Sequence, residues 1–456
     1  MRIGPVRLSE CLGDGRRLNA GYFLAEDEIA VRRLRAWRRD TAALGDLVSD
    51  VYSGPIFRKI SVGPGHGVGY VSANSLFRTN VVPSDYLSLR HRTLLDCLRL
   101  VPGTIVLTCS GMNLGKSVWV RNDMAGLAGS GDLIRILPDA QKAPGGLVFA
   151  FLSSRYGVAS IRRLIFGGHI KHIAPSDVCR ILVPRLGDEI ERRVHDLVEK
   201  AATLRSNAAA LRKSAVSLVT AALSWESQPV HDLCRTAGPC MLQRRMDAFH
   251  HAEGIVAAQK CLATRPSVRL GDVVAEVFEP NRGPRRKVED ASHGVQFLSS
   301  SEVFRLDPVG DYLISRTRTP YIERQLVGEQ DLLLPRSGQI GGIIGRAVLP
   351  LPSYYGAAAS EHLVRVRCRS REDAFLAWAI FATEPGYYAA IGTAFGSSIP
   401  SLDCALLADL QIPWWEGTKR NEIVRLVEGM VNALTEAISA ERSGVALVEH
   451  AIEQAT

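Results

Sequence analysis

"ALGDLVSDVY", residues 43–52, is answered by "RLGDVVAEVF", residues 269–278, 226 positions further along a chain of 456. An echo at half the chain length raises a duplication, and repeats are sought before any element is assigned. A duplicated chain repeats its other signals in the same order and at nearly the same offset. "GRRLNAGYF" (15–23) returns as "QRRMDAFHH" (243–251) at 228, "GYVSANSLFR" (69–78) as "QFLSSSEVFR" (296–305) at 227, and "PGTIVLTCSG" (102–111) as "EQDLLLPRSG" (329–338) at 227. "GSGDLIRI" (129–136) returns as "ASEHLVRV" (359–366) at 230, and "IFGGHIKHI" (165–173) as "AFGSSIPSL" (394–402) at 229. Few residues are identical within a pair, whereas apolar positions, turn residues and spacing persist. That is the mark of two copies sharing a fold and differing on a working surface.

Each copy closes on a long helical pattern. Over 188–223, Ile190, Val194, Leu197, Ala201, Leu204, Ala208, Leu211, Ala215, Leu218 and Ala222 recur at alternating steps of four and three, a sustained heptad seam. Its 36 residues would span roughly 54 Å at 1.5 Å each. Over 420–454, Ile423, Val427, Met430, Leu434, Ala437, Val445, Val448 and Ile452 form a similar stripe, with Gly444 inside it. Such stripes usually mark bundle-core helices. Two isolated helices that follow two globes at matching positions predict instead a mutual antiparallel coiled coil.

Ahead of each long helix, short β-prone runs such as "GTIVLTCSG" and "DLLLPRSG" are bounded by Gly, Pro or Ser. "GLVFAFLSSRYGVASIRRL" and "DAFLAWAIFATEPGYYAAI" each read as helix. The expected class is α+β: a lead-in (1–40), a globe (41–186), a long helix (187–226), a second lead-in (227–265), a second globe (266–416) and a second long helix (417–456).

The composition, 46 % hydrophobic and 22 % charged with a mean hydropathy of +0.04, is that of a folded globular chain. A net charge of +8 favours a polyanionic partner. The nine cysteines are scattered singly, with no C-x-x-C pair and no zinc spacing. No apolar leader opens the chain and no run of eighteen apolar residues occurs, so a cytoplasmic protein without membrane spans is expected.

Catalytic constellations are missing from the text. "GMNLGKS" (111–117) ends like a phosphate loop but lacks its first glycine. There is no G-x-S-x-G elbow, no H-E-x-x-H, and no [N/D]-P-P-[Y/F/W] motif to grip a flipped base. A chain that recognises rather than transforms is expected, with no metal and no cofactor of its own.

Two related but divergent modules suit a split target, with affinity from effective concentration and specificity from two surfaces. For double-stranded DNA the readers should be Arg, Lys, Ser, Asn and Gln on loops. The first copy offers Arg58, Lys59, Asn74, Arg78, Ser110, Asn113, Lys116, Lys171 and His172. The second offers Arg282, Arg285, Arg286, Lys287, Ser301, Arg305, Arg336, Gln339, Ser397 and Ser398.

Four doubled motifs carry a resemblance. They are the "LGD-V" start of each globe, the Ser-Gly turn after an apolar strand (Ser110-Gly111, Ser337-Gly338), a G-x-x-I-x-x-[IL] loop (Gly167 to Ile173, Gly396 to Leu402) and a closing [LI]-x-[IV]-P (Ile181 to Pro184, Leu410 to Pro413). In these the chain resembles, over essentially its whole length, the specificity subunit of a type I restriction-modification system. The resemblance implies two target-recognition domains, a two-part DNA site, two docked methyltransferase subunits carrying S-adenosylmethionine, and motor-nuclease subunits that use ATP. The lead-ins at 1–40 and 229–265 are longer than in a minimal member, which leaves open a related phage-defence system; a protein-only adaptor is the reading from another class.

If the helices set the spacer of such a site, deleting one heptad from 188–223 shortens that helix by roughly 10.5 Å, the length of about three base pairs. Selection from random duplexes should then return a spacer shorter by about that amount, and an unchanged spacer would remove the helix from that role.

Overall fold

The computed structural model describes residues 26–37, 40–111, 113–165, 172–227, 245–264 and 266–454. The chain divides into two compact units, Met1–Ser206 with Glu436–Thr456, and Asn207–Thr435. Each holds one α+β globe and part of both long helices.

The first globe runs through α1 (Glu26–Ala36), β1 (Thr41–Ala43), β2 (Val48–Ser53), β3 (Gly67–Val71), β4 (Asp85–Ser88), β5 (Ile105–Thr108), β6 (Ser117–Trp119), β7 (Ala128–Gly129) and β8 (Leu133–Pro138). The helix pair α2 (Gly145–Ser153) and α3 (Arg155–Leu164) follows, and β9 (Leu182–Pro184) closes it. The main sheet has the order β2-β8-β5-β6 and is antiparallel; a second sheet has the order β4-β3-β7, and β1 pairs with β9. "IVLT" is apolar without alternation because both faces of β5 are covered. Ile105 and Leu107 pack with Leu147 and Phe151 of the helix pair, and Val106 packs with Val71 and Leu76 on the other side.

After α4 (Asp188–Leu223), the second globe repeats this order. Its elements are α5 (Glu253–Leu262), β10 (Ser267–Arg269), β11 (Val274–Phe278), β12 (Lys287–Val288), β13 (Gly294–Leu298), β14 (Tyr312–Ser315), β15 (Asp331–Pro335), β16 (Ala358–Ala359) and β17 (Leu363–Cys368). The pair α6 (Arg371–Phe381) and α7 (Glu384–Gly392), the hairpin β18 (Ala394–Phe395) and β19 (Ser401–Leu402), and β20 (Gln411–Pro413) complete it before α8 (Gly417–Gln454). Its main sheet is β11-β17-β15 and its second sheet β12-β14-β13-β16. The copies agree in register. β2 against β8 shifts between Val48 and Asp50, and β11 against β17 shifts at the equivalent Val274 and Glu276. The same parallel pairing joins Tyr70 to Ala128 and Phe297 to Ala358.

One long helix was expected at each of two places where the structure has two. Ser154 and Thr383 break the runs. Each hydroxyl donates to the carbonyl three residues back, at 2.6 Å from Phe151 and Ile380 respectively, and accepts from the amide of Gly157 or Gly386. This is an N-cap. A Cβ at Gly157 or Gly386 would lie 2.0 Å from the Phe151 or Ile380 oxygen, so only glycine fits the bend.

A buried arginine ties the two sheets of each globe together. Arg135 on β8 is 2 % exposed and Arg365 on β17 is 0 % exposed. Arg135 donates to the carbonyls of Leu98, Gly129, Ser130 and Leu133, and Arg365 to those of Gln325, Ala359 and Leu363. Burial pulls the Arg365 pKa down to about 10, which leaves it charged at neutral pH.

The lead-ins pack on equivalent helices. α1 lies on α3, where buried Glu28 accepts from Arg32 at 2.9 Å and Arg163 at 2.7 Å. α5 lies on α7, and Arg245 of the second "RRMDA" phrase donates to the carbonyls of Thr393 (3.2 Å) and Ala394 (2.7 Å). The first phrase, 15–23, lies outside the described residues.

α4 begins where Glu191 folds back to accept from Arg185 at 2.9 and 2.8 Å and from the Leu186 amide at 2.8 Å. In the first unit its early half pairs antiparallel with the late half of α8. Ala201 packs with Ala437 and Ala440, Lys200 pairs with Glu436 at 2.7 Å, and Arg205 pairs with Glu441. In the second unit, Leu211 meets α8 at Gly429.

The seam follows the expected stripe in part, with Leu197 and Leu204 packed against its alanines from the side. Val194, Ala201, Ala208 and Ala215 are buried, but Leu197, Leu204, Leu211 and Leu218 are only half-buried, and Val198 and Val219 are buried in their place. On α8, Ile423, Val427, Met430, Leu434 and Val448 are buried and Val445 is half-buried. Small residues bring the backbones together and leave the leucines on the flanks. Gly444 belongs to this close approach: a Cβ there would stand 3.6 Å from Leu197 Cβ and 3.6 Å from the Val194 oxygen.

Arg365→Met should lower the unfolding free energy of the second unit by about 2–4 kcal/mol, because the carbonyls left without a donor outweigh relief of the buried charge; urea unfolding measures it, and Arg135→Met should act likewise on the first unit. Gly444→Ala should be neutral or stabilising by up to about 1 kcal/mol, since alanine fits at van der Waals distance and favours helix, whereas Gly444→Leu should cost about 1–3 kcal/mol. Thermal melts of the two variants test the close approach directly.

Candidate nucleic-acid interface

In the second globe the register places three strand ends together. Phe278 pairs with Arg365 and Pro335 with Leu363, so the exits of β11 and β15 and the entry of β17 share one end of the main sheet. Glu279, Arg336 and Glu361 stand there. Glu279 pairs with Arg336 at 2.9 Å and faces Arg282 at 3.5 Å. Glu361 accepts two bonds from Arg285, at 2.8 and 2.9 Å, and Arg285 also donates to the Tyr312 hydroxyl at 3.3 Å. Burial would raise the Glu361 carboxyl, but the Arg285 bonds outweigh it and hold the group below its usual value.

The basic run 282–287 rests on aromatic faces of the second sheet. Phe297 and Tyr312 stack at 5.3 Å. Arg285 lies 4.3 Å from the Phe297 centroid and Lys287 4.1 Å from that of Tyr312. These are cation–π distances. Arg286 is exposed, and its carbonyl accepts from Ser315 at 2.7 Å. Next to Ser360, whose amide bonds to Leu298, the turn after β13 presents exposed Ser301 and ties Arg305 to Glu302 at 3.1 Å.

The Ser-Gly turn and the β18–β19 hairpin join the same end. Ser337 bridges Ser401 through hydroxyls 2.7 Å apart, the Gly338 amide donates to Pro400 at 3.1 Å, and Leu402 donates to the Arg336 carbonyl at 2.8 Å. Gln339, Ser397 and Ser398 are exposed around this junction. The structure thus brings Arg282, Arg285, Lys287, Arg336, Gln339, Ser397 and Ser398 to one rim.

The first globe builds the same junction from other side chains. Ile173 donates to the Cys109 carbonyl at 3.1 Å, as Leu402 does to Arg336. Ser110 follows, half-buried, and His172 adjoins it. The Thr108 hydroxyl donates to the Asn113 carbonyl and, at 3.2 Å, to that of Lys116, which fixes the β5–β6 turn. Asn113 in turn donates to the Asn74 side chain at 2.8 Å, which joins this turn to the one that ends at half-buried Arg78. Lys116 and Arg58 are exposed, and Lys59 donates to the Tyr70 hydroxyl at 2.6 Å. Lys171 lies outside the described residues.

Sequence reasoning missed the groups that hold these cations: Glu279, Glu361, Tyr312, Phe297 and Tyr70. It also passed over Phe395 and Ile399, whose exposure on the hairpin no pattern announced. Among the described residues no group of three His, Cys, Asp or Glu side chains could hold a metal ion, and no helix is long and apolar enough to cross a membrane.

Comparison with known proteins returns no matching family model and no matching curated protein. Solved structures do match. The type I restriction-modification S subunit from M. genitalium is 13 % identical, covers 92 % of this chain and 96 % of its own, and aligns at a TM-score of 0.38. The HsdS subunit from Thermoanaerobacter tengcongensis is 16 % identical, with 91 % and 97 % covered and a TM-score of 0.28. Scores of this size transfer no residue's role, so the functional reading rests on the chain's own geometry. Along nearly its whole length the chain is similar to solved structures of type I restriction-modification specificity subunits.

Proposed function

We propose that the chain is a non-catalytic DNA-specificity subunit of a type I restriction-modification complex. Each globe would read one part of a two-part duplex site, and the long helices would dock methyltransferase subunits, with motor-nuclease subunits joining the assembly. S-adenosylmethionine and ATP chemistry would reside on those partners.

One observation carries the reading. The two copies keep the same internal framework and differ at the same rim. Framework positions are alike: Arg135 and Arg365, Ser154 and Thr383, Gly157 and Gly386. At the rim, Cys109 stands where the second copy has Arg336, and Ser53 where it has Glu279. Different polar side chains on a shared sheet end are what two readers of different sequences require. Arg, Gln, Ser and Asn there are the side chains that pair with base edges and phosphates.

A protein-only adaptor draws support from the ion pairs of Arg285 and Arg336, which are held by carboxylates before any partner arrives. Salt separates the two readings. A phosphate reader loses affinity steeply as salt rises, with a slope set by the phosphates it neutralises.

Selection from random duplexes by the chain assembled with its methylating partners should enrich two short fixed blocks around an unspecified spacer. Replacing Arg286 and Lys287 together by Gln should weaken the second block alone and reduce the salt slope by about 1 per phosphate contact removed. No enriched sequence, with affinity insensitive to salt, would favour the adaptor.

A further inference from the structure

The β18–β19 hairpin carries two large apolar side chains at its tip. Phe395 is 48 % exposed and Ile399 is 68 % exposed, with the small exposed Ser397 and Ser398 between them. Single exposed apolar residues are ordinary on a protein surface. Two within five residues, on a tip whose other side chains are hydroxyls, are a local concentration.

The tip is held firmly. Gly396 takes φ +96°, a conformation suited to glycine, and Pro400 restricts Ile399 to extended backbone. Three bonds already described, Ser337 to Ser401, Gly338 to Pro400 and Leu402 to Arg336, fasten its base to the rim. Ile399 is β-branched and stiff at its first torsion. The hairpin therefore offers a preorganised apolar edge flanked by hydroxyls, on the same stalk as the guanidinium of Arg336.

The major-groove edge of an A·T pair has the matching pattern, a thymine methyl beside the hydrogen-bonding O4, N6 and N7. We propose that the Phe395–Ile399 tip reads a thymine methyl group in the DNA block recognised by the second globe. This rests on the DNA-reading function above and assigns that site a base feature. The first copy carries the same Phe-Gly-x-x-Ile text at Phe166 to Ile170, outside the described residues.

The test uses the duplex enriched by the wild-type complex, with each thymidine of the second block replaced in turn by deoxyuridine, which removes only the methyl. At one position binding should weaken about fourfold, the worth of one buried methyl group. Ile399→Ser and Phe395→Ser should weaken binding to the thymidine duplex and lose their response to deoxyuridine at that position, with unfolding midpoints unchanged because both sites are exposed. Deoxyuridine without effect at every position, or variants that keep the full response, would overturn the proposal. So would variants that bind DNA normally but fail to retain a partner subunit, since the tip would then be a protein contact. A wild-type complex that enriches no sequence would instead bring down the DNA-reading function itself.

Discussion

Everything in each globe hangs on a guanidinium placed where two sheets meet. Strands that end against another sheet leave carbonyls that no ladder neighbour reaches, and burying them without donors is expensive. Arg135 and Arg365 answer several carbonyls each from a single rigid fork, and among the described residues no carboxylate is bonded to either. Such a charge is tolerated inside because its hydrogen bonds are directed and several. That joint holds the second sheet against the main one, whose ladder sets the register and the direction of the strand exits on which the rim residues stand.

The same economy separates what the two copies share from what they do not. Groups that turn inward to satisfy backbone atoms, such as Ser154 and Thr383, can vary little, because another side chain would leave a helix end uncapped. Groups that turn outward from the strand ends are free of that duty. In the second copy they became arginines paired with Glu279 and Glu361; in the first, Asn113 and Asn74 are linked by a neutral hydrogen bond.

The duplication and the α+β class were readable because apolar spacing survives when identity does not: "LGD-V" and "L-x-R-[IV]" keep their places through two copies. The split of each expected helix was hidden, since the apolar text runs on through Ser154 and Thr383 and only a cap and a close glycine mark the bend. The stripe was legible as a four-three spacing, but which of its members lie deepest was not, because spacing is blind to size and close approach selects for smallness: Ala201, Ala208 and Ala215 are buried where Leu197, Leu204, Leu211 and Leu218 are half-buried. The candidate loops were visible as clusters of polar residues. Their partners were not, since Glu361 reaches Arg285 across 76 positions, a pairing created only by the return of β17 alongside β11.

The alanine-lined helix pairing of the first unit has a mechanical consequence. Alanine has no side-chain torsion to freeze and none to exchange, so the central contact of Ala201 with Ala437 and Ala440 has few alternative packings into which it could relax under load, with Leu197 and Leu204 packed at its side. Leucine knobs can hop between rotamers and let two helices slide; methyl groups against backbone offer little such slack. A pair made this way behaves as a strut more than as a spring, and a force applied at one end arrives at the other as displacement, with little of it absorbed by repacking.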